Sequence, residues 1–127
     1  MEQLQAIRVL LVEDNADVAR TIGRLLRRHV REVVLATDVA AAVVALAHAP
    51  FDLVVSDLKL HSESALDVLE AMATSGVSAP FVLITGSMDT DVEDRVLRDP
   101  RVRTVLRKPF DSEALLTCLA RVLDGHG

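Results

Sequence analysis

Short apolar runs alternate with amphipathic stretches five times along this chain, at residues 9–12, 32–36, 51–56, 81–85 and 102–106. That alternation restricts the fold to a parallel sheet with helices packed on both of its faces. The first, third and fourth runs are almost continuously apolar, as strands covered on both faces must be. The second begins with Glu32 and suits an edge. Between the runs, Val18, Ile22, Leu25 and Leu26 recur at helical spacing while Arg20, Arg24, Arg27 and Arg28 face elsewhere. Thr37-Asp38 offers a cap to an Ala/Val-rich helix that Pro50 stops. Leu66, Leu69 and Ala73 mark a third helix, with Gly76 placed to end it. Residues 89–98 make a short polar fourth helix closed by Asp99-Pro100. Asp111 caps a fifth, which carries Leu115, Leu119 and Val122 and ends at Gly125.

Composition narrows the class. With 127 residues the chain fits one domain, expected over 1–127 with its core at about 7–124. Half of its residues are hydrophobic and 26% are charged, the balance of a globular domain rather than a disordered one. A net charge of −5 argues against direct nucleic-acid binding. The single cysteine, Cys118, forms no internal disulfide and fits a reducing, cytoplasmic setting. No apolar run approaches the roughly 20 residues of a membrane span, and the N-terminus lacks the pattern of a secretion signal.

The chemistry gathers after the apolar runs. Glu13 and Asp14 follow the first, Asp57 ends the third, Thr85 and Gly86 end the fourth, and Lys108-Pro109 follows the fifth. In an open parallel sheet, ligands bind outside the carboxyl ends of the strands. Spacing alone does not bring Glu13, Asp14 and Asp57 together. They meet only if the first and third strands are neighbours, as in the flavodoxin-like order 2-1-3-4-5. In that order three carboxylates share a pocket, and their mutual repulsion would raise at least one pKa. A hard cation such as Mg²⁺ relieves the crowding, since it takes a few carboxylates with water and phosphate oxygens. Such an ion would polarise a phosphoryl group, Lys108 would pair with one of its oxygens, and Thr85 would donate a hydrogen bond.

Val-Leu-Leu-Val-Glu13-Asp14-Asn15, Leu-Val-Val-Ser-Asp57-Leu, Val-Leu-Ile-Thr85-Gly86 and Lys108-Pro109-Phe110 together resemble the receiver domains of two-component response regulators. The resemblance covers essentially the whole chain. It implies a flavodoxin-like (βα)5 fold, a doubly wound five-stranded parallel sheet. It implies that Asp57 accepts a phosphoryl group from the phosphohistidine of a sensor histidine kinase or a histidine phosphotransfer protein. Asp14 would ligate Mg²⁺ (or Mn²⁺ in its place) directly and Glu13 through water, with Lys59 lending its main-chain carbonyl. Thr85 and Lys108 would bind the phosphoryl oxygens, and the Lys108-Pro109 bond would be cis. Phosphorylation would then bias the surface of the fourth helix, fifth strand and fifth helix, through which members of the family commonly form homodimers.

Three departures accompany the resemblance. Val105 stands where receivers usually carry Tyr or Phe, which puts the usual threonine–aromatic switch in question. Leu60-His61 and Ser64-Ala65 replace the common Met-Pro and Asp-Gly, which suggests a more mobile loop. Lys59 and Ser87 hold the two variable positions that tune phosphate lifetime, and the Lys59 side chain either meets the phosphoryl group or points into water. His29, His48, His61 and His126 lack metal-ligand spacing. The helix-one arginines either dock a partner or solvate that face. The leading reading is a signalling switch that also hydrolyses its own acyl phosphate, with no effector domain in this chain. The other is a pseudo-receiver that binds proteins independently of phosphorylation.

Overall fold

The five apolar runs form one parallel sheet in the computed structural model, which describes residues 2–125. In chain order the strands are β1 (Arg8–Val12), β2 (Glu32–Ala36), β3 (Leu53–Asp57), the short pair β4 (Lys59–Leu60) and β5 (Glu63–Ser64), β6 (Phe81–Thr85) and β7 (Val102–Arg107). The sheet order is β2-β1-β3-β6-β7, and β4 pairs with β5 as a separate antiparallel hairpin. Without the hairpin this is the expected order 2-1-3-4-5, a flavodoxin-like α/β fold, with β2 at one edge. The helices are α1 (Ala16–Arg27), α2 (Val39–His48), α3 (Ala65–Thr74), α4 (Thr90–Leu97) and α5 (Ser112–Leu123).

Alternation along the strands sorts the core into two layers. Leu10, Val12, Val54, Phe81 and Leu83 pack with Ala42 and Leu46 of α2, Val68 and Met72 of α3 and Val96 of α4. Val9, Leu11, Leu53, Val55, Val82 and Ile84 pack on the other face with Ile22 and Leu26 of α1 and with Leu115, Leu119 and Val122 of α5. Each fully buried leucine or valine contributes about 1.5–3 kcal/mol relative to exposure. Gly23 lets α1 lie close on β2, because a Cβ there would come within 2.9 Å of a Leu35 methyl.

Side chains at the helix starts satisfy the free N–H groups of each first turn. Asn15, Asp38, Ser64, Asp89 and Asp111 cap α1 to α5 in turn, and Ser64 with Asp67 forms a reciprocal capping box. Gly76 and Gly125 take left-handed backbone, φ 73° and 81°, just beyond α3 and α5.

Several details differ from the sequence expectation. The segment before β1 is a 3₁₀ turn, Glu2–Ala6, whose Leu4 is fully buried in the layer shared with α5. β3 begins two residues late, because the Asp52 carboxylate accepts the Arg8 N–H at 2.8 Å and turns the chain into the sheet. Asp89 and Arg98 are the caps of α4 rather than its ends. The segment after Asp57 is paired as β4–β5, with His61 at φ 59° in its turn. Cys118 is half-buried against the α1–α5 layer, and His48 hydrogen-bonds the Val44 carbonyl within its own helix. His126 lies outside the described residues. Among those described, no helix is long and apolar enough to cross a membrane.

Candidate functional site at the carboxyl edge of the sheet

Register assembles the site. Val12 of β1 lies beside Ser56 of β3, so Glu13 and Asp14 emerge next to Asp57. Asp57 lies beside Ile84 of β6, and Thr85 lies beside Arg107 of β7, which delivers Lys108. The condition that the first and third strands be neighbours is met. Carboxylate oxygens of Glu13, Asp14 and Asp57 all lie within 4.8 Å of one another.

Lys108 is the cation among them. Its Nζ donates to Glu13 Oε1 at 2.6 Å and to Asp57 Oδ2 at 2.9 Å. The other Asp57 oxygen accepts the Leu58 N–H at 2.8 Å. Asn15 donates its N–H to Glu13 Oε2 at 3.2 Å. Asp14 is the most open of the acids and accepts the His61 N–H at 3.1 Å. Burial pushes the Glu13 carboxyl above its ordinary value, and the Asp57 charge adds to this against the pull of Lys108. Burial depresses the Lys108 ammonium, but its hydrogen bonds to Glu13 and Asp57 outweigh that and hold its pKa above the usual lysine value.

Thr85 is fully buried at the end of β6. Its Oγ1 accepts the Ser87 N–H at 2.9 Å, which leaves its own proton free to donate, and its carbonyl accepts the Lys108 N–H at 2.9 Å. The Lys108-Pro109 bond is cis. The Lys59 ammonium reaches Asp89 Oδ2, the N-cap of α4, at 2.5 Å. Val105 is partly buried against the α2–α3 layer and lies beside Leu83.

Two contacts escaped the sequence reading. His61 meets Asp14 through its backbone N–H, with its ring Nδ1 3.6 Å from the same oxygen, although the residues are 47 apart in the chain. Asp89 captures Lys59 across 30 residues. Local pattern carries no trace of either, since both depend on how the hairpin folds over the strand ends. The donor set suits a hard divalent cation: three carboxylates, two of them buried, with one ammonium to balance them.

The response regulator receiver domain family matches residues 9–120. The response regulator protein PmrA of Pseudomonas aeruginosa is 36% identical over 110 residues, 86% of this chain and 49% of that protein. The cell cycle transcriptional regulator CtrA of Caulobacter vibrioides is 27% identical over 118 residues, 92% of this chain and 50% of that protein. The chain thus spans about half the length of these relatives. A CheY-like response regulator receiver domain protein from Methanospirillum hungatei superposes with a TM-score of 0.85 at 20% identity, over 95% of this chain and 96% of the other. Strand order, match and superposition agree, and the chain belongs to the response regulator receiver domains.

Proposed function

We propose that this domain accepts a phosphoryl group on Asp57 from the phosphohistidine of a sensor histidine kinase or a histidine phosphotransfer protein. The observation that carries the reading is the convergence of Glu13, Asp14 and Asp57 around one lysine at the carboxyl edge of the sheet. An Asp57 oxygen attacks phosphorus, the phosphorus–nitrogen bond breaks, and the electron pair leaves on the donor imidazole. The Leu58 N–H steadies one Asp57 oxygen, and Lys108 moves from the other to a phosphoryl oxygen as a point charge. Thr85 donates a hydrogen bond from its hydroxyl to a second phosphoryl oxygen. Water later attacks phosphorus, the bond from phosphorus to the Asp57 oxygen breaks, and inorganic phosphate leaves as the Asp57 carboxylate returns.

Asp14 and Asp57, the Lys59 carbonyl, and Glu13 acting through water would hold Mg²⁺, with Mn²⁺ as a substitute. Held by these residues, the ion would supply positive charge against the phosphoryl oxygens. A groove of about 700 Å³ between α1 and the segment after β7, lined by Val18, Ile22, Leu25, Pro109 and Phe110, opens beside Lys108. It is the face for the phosphoryl donor. We further propose one domain over residues 1–127 in the cytoplasm. Its output is the α4–β7–α5 surface, which acts on a downstream protein, an effector domain or a second copy.

One observation favours the pseudo-receiver. Val105 gives that surface no aromatic ring to reorient. Intact mass after incubation with acetyl phosphate, with and without Mg²⁺, decides between the two. Phosphoryl acceptance expects one adduct that requires Mg²⁺ and is absent in Asp57→Asn. No adduct, under conditions that label another receiver, leaves the phosphorylation-independent binding module.

A further inference from the structure

Asp89 stands immediately before α4, and both of its carboxylate oxygens are engaged. Oδ1 accepts the Val92 N–H at 3.2 Å, the capping bond of the helix, and Oδ2 takes the Lys59 ammonium at 2.5 Å. The Asp89 N–H donates to Ser87 Oγ at 3.1 Å, and the Ser87 N–H donates to Thr85 Oγ1 at 2.9 Å. A continuous chain of polar contacts therefore links Thr85 to Lys59, which lies two residues beyond Asp57. Both ends belong to the phosphoryl site proposed above, and the middle is the start of a helix.

The links differ in strength. Thr85 is buried, whereas the Lys59 and Asp89 side chains are 48% and 33% exposed. An ion pair that open is weak, because water competes for both partners. Lysine is a flexible point charge able to change partners. A phosphoryl group on Asp57 would bring close to two negative charges and three acceptor oxygens, against the single charge of a carboxylate. Asp89 is held in place by Val92 and Ser87 whether or not Lys59 stays. The Lys59 contact is the exchangeable one.

We propose that Asp89 is a positioning residue of the phosphoryl site: it holds Lys59 at the α4 cap in the unphosphorylated chain and yields it to a phosphoryl oxygen when Asp57 is modified. This rests on phosphoryl acceptance at Asp57. Two effects follow from the exchange. Lys59 shields phosphorus from attacking water, so the Lys59–Asp89 contact competes with acyl-phosphate survival. The first turn of α4 loses a cation from its cap, so that turn registers the state of Asp57 without an aromatic at Val105.

The test is the decay of the phosphorylated full chain, followed by intact mass, in the wild type, Asp89→Asn, Lys59→Gln and the double variant. Asp89→Asn keeps an oxygen for the Val92 N–H and removes the charge that holds Lys59. It is expected to slow phosphoryl loss about two- to fivefold, in keeping with one exposed ion pair. Lys59→Gln is expected to speed loss, and in that background Asp89→Asn changes nothing. Amide exchange at Val92 and Glu93 is expected to slow on phosphorylation in the wild type and not in Lys59→Gln, because Asp89 then meets the start of α4 with its full negative charge. Equal decay in all four chains, or an Asp89→Asn effect that persists without Lys59, overturns the positioning role while leaving Asp57 as the acceptor. Absence of any adduct removes both readings together.

Discussion

The edge of the sheet around Asp57 and the face built from α4, β7 and α5 are held together in opposite ways. At the edge, chemistry is delivered by strands whose register admits no slack: β3 and β6 are buried at every residue. Glu13, Asp57 and Lys108 meet because three parallel ladders stop there, and both carboxylates are buried with the lysine partly so. On the α4–β7–α5 face, β7 is an edge strand exposed or half-exposed throughout. Besides apolar packing of Val92 and Val96, a fork joins it to α4. The two terminal nitrogens of the Arg107 guanidinium meet the buried Glu93 carboxylate, and the arginine side chain is 60% exposed. Lys59–Asp89 is a second open pair at the start of the same helix. Buried charges fixed by register provide a constant place for a reaction. Open pairs between elements cost little to exchange, and a surface that has to change state is built from those.

Removing Lys108 tests the fixed half of this contrast most severely. Lys108→Ala leaves Glu13 and Asp57 facing each other and takes one cation from where phosphoryl charge would develop. Labelling of Asp57 by acetyl phosphate is expected to slow by about 10²–10³, the range for losing one preorganised charge-stabilising donor. The time course of the mass adduct measures it. A loss below tenfold would mean that the lysine serves only to balance the acids at rest.

The next effect compares two residues that lie side by side. Leu83 and Val105 are in register, yet Leu83 is fully buried whereas Val105 is only partly so. Leu83→Ala is expected to cost about 2–5 kcal/mol through lost transfer energy and a cavity. Val105→Ala is expected to cost roughly 1 kcal/mol or less, since water already reaches the site. Urea midpoints at unchanged slope give both values. Similar costs would show that the β7 side of the sheet is packed as tightly as its centre, which breaks the contrast.

The same contrast explains what could be read from sequence. The strands of the sheet and the caps Asp38 and Asp111 follow from short-range pattern, because apolar periodicity and capping are local. The meeting of Glu13, Asp14, Asp57 and Lys108 followed once strand order was supplied, since each residue sits just past a recognisable strand. Leu4 gave no such signal: one leucine in a polar N-terminal stretch buries itself only because α5 lies across it. Nor did the β4–β5 hairpin, where Lys59-Leu60 and Glu63-Ser64 are too short to carry alternation and the turn depends on His61 adopting left-handed backbone. Lys59–Asp89 and Arg107–Glu93 join separate elements through long side chains, so they become visible only in three dimensions.

The smallest expected effect lies at the far end of β7, on a partly buried pair that stays fixed. Asp99 accepts from the Arg101 side chain and backbone, and Arg101 also donates to the Leu69 carbonyl at 3.0 Å, tying the entry of β7 to α3. The Arg101 hydrogen bond holds the Asp99 pKa below its ordinary 3.8, against a smaller upward push from burial. A carboxyl whose folded pKa is depressed adds stability that is present above its unfolded value and lost as pH falls through the folded one. Asp99→Asn keeps an acceptor for the Arg101 N–H but gives up that charge. It is expected to lower stability by under about 1 kcal/mol at neutral pH, as pairs near the surface do. The gap should close as pH drops below the ordinary carboxylate value. Glu13 is shifted in the opposite direction because burial dominates there, so one chain holds carboxyls displaced both ways by their surroundings. Urea titrations of the wild type and Asp99→Asn across acid pH measure the closing. A gap that stays constant to low pH would mean that Asp99 acts through its shape and hydrogen bonds alone, and that the charge on this pair contributes nothing.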